Sequence, residues 1–455
     1  MPDNPTLVRA IGRWSLAALI LNSIIGTGVF ILPGTIAGML GWPGIFAWIL
    51  AALIIGAMVF CFAEVASRFT GAGGAYLYAE AAFGRFAGIQ IGWITYFARC
   101  ITAAVQANLF TTYLGEFWRA ASTRAGSVAV TTVFLGTLAV INLRSVRHGA
   151  NVSNFFAIAK VVPLLIFGAM GAAWMVGGHG VVAPVGADAA SGGWLRAMLL
   201  LMFAYGGFEA GLIPLAEAKD PRRDAPVALI TGLALVTLVY LAAQVTVLAT
   251  LTDPAASARP LADSARIILG AGGAAFMAVA AMVSVYGWLS SNMLTVPRLT
   301  TAMADRGDFP RIFAWVHPRF RTPWVSIVVF TLISWVLANQ ASLLQNLSLS
   351  AISRLIPYAA VCAALPVFRW RESAVARGGQ DGQDGQDGQD GRGGHCETVS
   401  SAMFRVKGGV VLAVIGVIAS LVLASRMNMR ELVAMVVVVA LGTVYWMATV
   451  RRLGG

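Results

Sequence analysis

About twelve times between Trp14 and Met447 the chain runs apolar for roughly 20 residues, long enough to cross the hydrocarbon core of a bilayer. A segment in lipid finds no water for its backbone N–H and C=O groups, so each run must close its own hydrogen bonds as a helix. The expected spans begin near Trp14, Pro43, Phe86, Ser127, Asn151, Trp194, Pro226, Ser264, Pro323, Asn346, Lys407 and Arg430. They leave little chain for a water-soluble domain. Composition agrees, with 58% hydrophobic residues, 11% charged residues and a mean hydropathy of +0.78. The fold class is therefore an all-α polytopic membrane protein surrounded by lipid.

Basic residues set the expected orientation. With the amino terminus in the cytoplasm, 22 of the 32 Lys and Arg fall on inside segments and 7 on outside segments; the other 3, Arg99, Lys160 and Arg354, lie within spans. That bias predicts both termini on the cytoplasmic side; the membrane itself is expected to be a bacterial plasma (inner) membrane. The bias also explains the net charge of +12 without nucleic acid, which is not expected as a partner. The first run follows Arg9 and Arg13 as a signal peptide would, but continues through Gly26, Gly28 and Pro33 without a convincing cleavage site, and is read as retained.

Other chemistry finds little support. Cys61, Cys100 and Cys362 lie in apolar runs and Cys396 in a cytoplasmic loop, so no extracellular disulfide is expected. His148, His179, His317 and His395 are scattered among loops without ligand spacing, and neither a metal nor a cofactor is predicted. From Gln380 to Gly391 the chain reads as four Gln-Asp-Gly copies, a solvated tract that cannot form a core. Its period of three does not match an oxygen-ligand calcium loop. An enzyme would need a nucleophile–base or metal constellation, and no Ser-His or His-Glu cluster occurs within the spans.

Two apolar runs are spoiled at mid-depth. Ile24-Ile25-Gly26-Thr27-Gly28-Val29-Phe30 sets two glycines around a polar residue, with Pro33-Gly34 a turn further on. Five spans later, Phe203-Ala204-Tyr205-Gly206-Gly207-Phe208-Glu209 repeats the pattern. One such segment is as well explained by a close helix crossing. Two in corresponding positions of two halves point to the discontinuous helices of an inverted-repeat transporter. Unwinding exposes N–H groups at the start of one half-helix and C=O groups at the end of the other, with opposite partial charges. A zwitterion fits between them: amides near Thr27 and Gly28 for a carboxylate, carbonyls near Ile24, Phe203, Ala204 and Gly206 for an ammonium group.

Three ionisable residues sit deep in these runs. A mid-span carboxylate costs about 2.5–3.5 kcal/mol on insertion scales, so Glu209 is expected to face a cavity or a partner. Lys160 lies well inside the fifth run, too deep to reach the interface comfortably. Arg99 lies roughly 20 Å into the third, at 1.5 Å per residue. It either reads an acidic or polar substrate tail or pairs with a carboxylate such as Glu209. Arg354 is expected to pack near a helix end, with no function assigned. Trp288, in the eighth span, either lines the pocket or packs between helices.

The two interrupted segments resemble those of the amino acid–polyamine–organocation (APC) superfamily. So do Ala63-Glu64-Val65 with Gly71–Tyr76, the loop Glu217-Ala218-Lys219-Asp220-Pro221-Arg222-Arg223-Asp224-Ala225-Pro226, and Met303-Ala304-Asp305-Arg306-Gly307-Asp308-Phe309-Pro310. The resemblance implies a LeuT-type fold with broken helices 1 and 6: a five-helix repeat over 1–176, an inverted repeat over 177–370, a flexible cytoplasmic loop over 371–405, and two peripheral helices over 406–455. It implies that Ile24, Gly26, Thr27 and Gly28 contact an amino acid backbone. Phe203 would close over the substrate, and Glu209 would serve gating or coupling. It also implies that Lys160 stands near the first break and an eighth-helix serine, here Ser284, where sodium-coupled relatives bind sodium. The function expected is secondary transport of amino acids, sodium-independent and proton-coupled or exchanging. A polyamine or amine antiporter, or an amino-acid sensor that does not transport, stays as the alternative.

Overall fold

A computed structural model describes residues 12–69, 73–144, 150–178, 191–212, 215, 218–378 and 401–453. Among them regular structure is helical, in fourteen α-helices and a few 3-10 turns. The helices are α1 (Arg13–Ile24), α2 (Thr27–Leu40), α3 (Gly44–Ala66), α4 (Ala75–Phe83), α5 (Arg85–Leu114), α6 (Arg124–Arg144) and α7 (Ala150–Val176). The others are α8 (Ser191–Tyr205), α9 (Pro221–Thr250), α10 (Pro260–Asp305), α11 (Trp324–Gln340), α12 (Leu343–Gly378), α13 (Gly409–Ala424) and α14 (Met429–Leu453).

They make twelve spans. Eight helices are long and apolar enough alone, and α1 with α2 forms a ninth, bent by 48° at Ile25-Gly26. The shorter apolar helices α11 and α13 add two. The last is α5, whose 30 residues bury Gln90, Arg99, Gln106 and Asn108 and so read as less apolar than the rest. Helix starts follow local chemistry. Pro221 opens α9 and Pro260 opens α10, at first-turn positions where a missing N–H costs nothing.

Burial separates centre from rim. Of the sixth span 89% is buried, against 28% for α6 and 17% for α14. Leu53, Phe155, Ile158 and Val444 are among the large apolar side chains left on the outside, the surface a lipid-immersed bundle requires. α1 packs on α7 and α9, α2 on α8, α9 and α10, and α5 on α10 and α12. α13 lies against α3 and α12, and α14 against α5, both on the periphery.

At one end of the bundle a charge network joins three segments. The fully buried Glu64, near the end of α3, accepts from Arg369 of α12 at 2.7 and 2.6 Å and from the Val406 amide at 2.9 Å. Glu372 pairs with Arg68 and, at 2.5 Å, with Arg405. Residues 401–408 thus return to the bundle, and α12 continues past 370 to Gly378. The Gln-Asp-Gly tract, Cys396, His148, His179 and His395 lie outside the described residues.

Candidate functional site

The two breaks meet. α1 ends at Ile24, Gly26 takes non-helical dihedrals (φ −134°, ψ −135°), and α2 starts at Thr27. The sixth span stops at Tyr205, turns at Gly206-Gly207 and resumes as a 3-10 turn over Phe208–Leu212. Two glycines make the encounter possible. Gly28 lies so close to α8 that a Cβ would stand 2.8 Å from the Ala204 Cα. Gly207 has φ +117°, and a Cβ there would run into the Ser23 carbonyl. Close crossing and helix interruption, alternatives in the sequence, are both present at the same place.

The freed carbonyls at the end of α1, Asn22 to Ile25, each have a partner from another helix. Lys160 of α7 donates to the Asn22 and Ile25 carbonyls at 2.9 and 3.0 Å. An ammonium group there meets the negative end of the α1 dipole. Trp288 of α10 donates its Nε1–H to the Ser23 carbonyl at 2.9 Å, so its indole closes the end of α1. The Thr27 hydroxyl donates to Gln106 of α5 at 2.7 Å. The Tyr240 hydroxyl of α9 reaches both the Ala204 carbonyl, at 3.0 Å, and the Ile24 carbonyl, at 3.4 Å. Two carbonyls expected to face an ammonium group therefore share one tyrosine. Ser284 is buried, but its hydroxyl has no hydrogen-bond partner among the described residues, and Lys160 does not bond to it.

The second break carries the ion pair. Arg99 donates from Nη2 to Glu209 Oε1 at 2.7 Å. Glu209 Oε2 accepts from the Tyr358 hydroxyl at 2.7 Å and from the Gly207 amide at 2.9 Å. The carboxylate alternative for Arg99 is thus realised. Arg354 corrects the expectation that it packs near a helix end. It is 4% exposed, its guanidinium lies over the Phe203 ring at 5.3 Å, and its Nη2 donates to Thr102 of α5 at 2.8 Å. Phe203, expected to close over a substrate, is held between the break and this cation.

The structure thus assembles Ile24, Gly26, Thr27, Gly28, Lys160 and Trp288 around one break, and Phe203, Ala204, Gly206, Glu209 and Arg99 around the other. All are buried. No group of three His, Cys, Asp or Glu fit for a metal occurs among the described residues.

A sequence profile described as amino acid permease matches residues 11–441. The chain belongs to this family. As an amino acid permease it is a multi-pass membrane transporter of the APC superfamily. It is 29% identical over 361 residues to a serine/threonine exchanger of Bacillus subtilis, covering 73% of this chain and 78% of the relative. To a methylthioribose transporter of the same organism it is 28% identical over 341 residues, covering 70% and 72%. A transporter of Mycobacterium tuberculosis described as uncharacterized is 29% identical over 365 residues, covering 79% and 80%.

Three site residues of this permease escaped sequence reasoning. Tyr240 and Tyr358 gave no signal, because tyrosines are expected anywhere near a membrane interface. Arg354 did give one, a third buried cation, and only its assumed depth hid it.

Proposed function

We propose that this permease is a secondary active transporter of amino acids working by alternating access, sodium-independent and either proton-coupled or exchanging. The observation that carries the reading is the Lys160 amine on the Asn22 and Ile25 carbonyls, at the break where the family resemblance places sodium in sodium-coupled relatives. The first-turn amides of α2 at Thr27 and Gly28 take the substrate carboxylate. The substrate ammonium approaches the Ile24 and Ala204 carbonyls and shares them with the Tyr240 hydroxyl. Phe203, Glu209 and Ser284 serve closure and coupling. The protein lies in a bacterial inner membrane with both termini cytoplasmic, so the Glu64–Arg369 network guards the inner end. The inverted-repeat division at 176 and 370 belongs to the same reading.

Two buried arginines beside the sixth break make polyamines, arginine and lysine poor substrates through like-charge repulsion in a low-dielectric site. The test is counterflow in proteoliposomes with labelled amino acids and methylthioribose, with and without sodium. Exchange of an amino acid at equal rates in sodium and in choline is expected. A sodium requirement that a proton gradient does not replace would refute the coupling. Ligand-induced thermal stabilisation without flux would favour a sensor instead.

A further inference from the structure

The sixth break contains more positive charge than it balances. Arg99 and Arg354 are both buried, and Glu209, paired with Arg99, is the one carboxylate in ion-pair contact with either among the described residues. Arg99 spends Nη2 on Glu209 and Arg354 spends Nη2 on Thr102. The Nη1 of each is buried without a hydrogen-bond partner among the described residues. Such donors, left unpaired, carry the full cost of desolvation.

Their placement indicates what they await. A Cβ on Gly206 would collide with Arg354 Nη1, so the absence of a side chain there lets the guanidinium lie against the opened backbone of the break. Arg354 is held in that pose by the Phe203 ring beneath it and by Thr102, whose hydroxyl also contacts Ser350 at 2.6 Å. Thr102 is one turn along α5 from Arg99, so both arginines are referred to the same helix face. Gly28 of α2 packs on Ala204, two residues before the Gly206 that Arg354 Nη1 lies against, so the first turn of α2 and the free Arg354 donor adjoin the same short stretch of the sixth span.

We infer that Arg354, with Arg99, binds a second anionic group on the substrate, the side-chain carboxylate of an acidic amino acid. The inference rests on the transport reading above and names its substrate class. An α-amino acid with a neutral tail brings no net charge and leaves the pair of guanidiniums over one carboxylate. An aspartate- or glutamate-sized substrate brings one negative charge, balances the site, and offers oxygens in the planar geometry a guanidinium prefers.

The test uses the full-length permease in proteoliposomes and compares glutamate with glutamine and aspartate with asparagine, pairs of nearly equal shape. In the unaltered protein the acidic member exchanges about tenfold or more faster at limiting concentration, the range of hydrogen bonds to a charged group. Arg354→Gln collapses that ratio towards one, and Arg354→Lys restores part of it. Replacing chloride by gluconate leaves glutamate exchange unchanged. Glutamine exchanging as fast as glutamate, while amino acids are transported, overturns the inference and leaves the transport reading standing. So does neutral-substrate exchange that requires chloride, which would assign the free donors to an inorganic anion. Exchange of no amino acid overturns both. If Arg354→Gln fails to elute as a monodisperse species, the acidic-to-neutral ratio of the unaltered protein and of Arg354→Lys still decides.

Discussion

Single side chains hold the first break open, and each can be removed. Lys160→Met keeps the length of the chain but takes the charged donor from the Asn22 and Ile25 carbonyls, a loss of about 1.5–3 kcal/mol for bonds of this kind. A lower midpoint of thermal unfolding is expected, together with counterflow reduced by more than about tenfold, the factor that such an energy implies. Tyr240→Phe removes one hydroxyl from two carbonyls and should cost about 0.5–1.5 kcal/mol. Unfolding midpoints of the purified variants check both. Lys160, Arg99 and Glu209 were legible in sequence because an ionisable group in an apolar run has few explanations. Glu209 was already one of two alternatives for Arg99, but the choice between that partner and a substrate tail was not legible. The Arg99–Glu209 bond spans 110 residues, and nothing local to either residue encodes it. Arg354 was misjudged because its run was taken to begin at Asn346; α12 begins at Leu343 and extends to Gly378, which moves the arginine inward.

At the scale of helices, the same substitution has opposite effects in two places. Gly207→Ala puts a Cβ against the Ser23 carbonyl in a backbone of φ +117°, so the sixth break cannot close on the first. Loss of exchange and of monodisperse protein is expected. Gly136 of α6 has open space where its Cβ would be, and Gly136→Ala should stabilise by about 0.5–1 kcal/mol through helix propensity. Size-exclusion profiles and unfolding midpoints of the two variants report the contrast. The start of every span was anticipated to within a few residues, since lipid makes apolar length a direct measure of helix. Features not governed by lipid were not anticipated. α4 is a nine-residue helix between spans, and α10 carries its first turns beyond a kink at Gly270 (φ 68°). Neither leaves a hydropathy signal of its own.

Across the whole molecule, function needs an end that can open and a centre that stays intact. The Glu64 cluster ties α3, α12 and residues 401–408 at one end. Glu64→Gln leaves Arg369 without its carboxylate partner. The cost should fall below the ~3–5 kcal/mol of a broken, fully buried pair, because Arg369 retains 24% side-chain exposure to solvent. An unfolding midpoint lowered accordingly, with faster proteolysis near residues 401–408, is the expected result. At the centre, Gly28 leaves no clearance between α2 and the backbone of Ala204, and Tyr240 laces the ends of α1 and α8. Parts without clearance share one trajectory. Probes placed on α2 and α8 should therefore hold a constant separation through a transport cycle, while their distances to α5 and α12 vary, so that the broken helices travel as a single piston rather than as two doors.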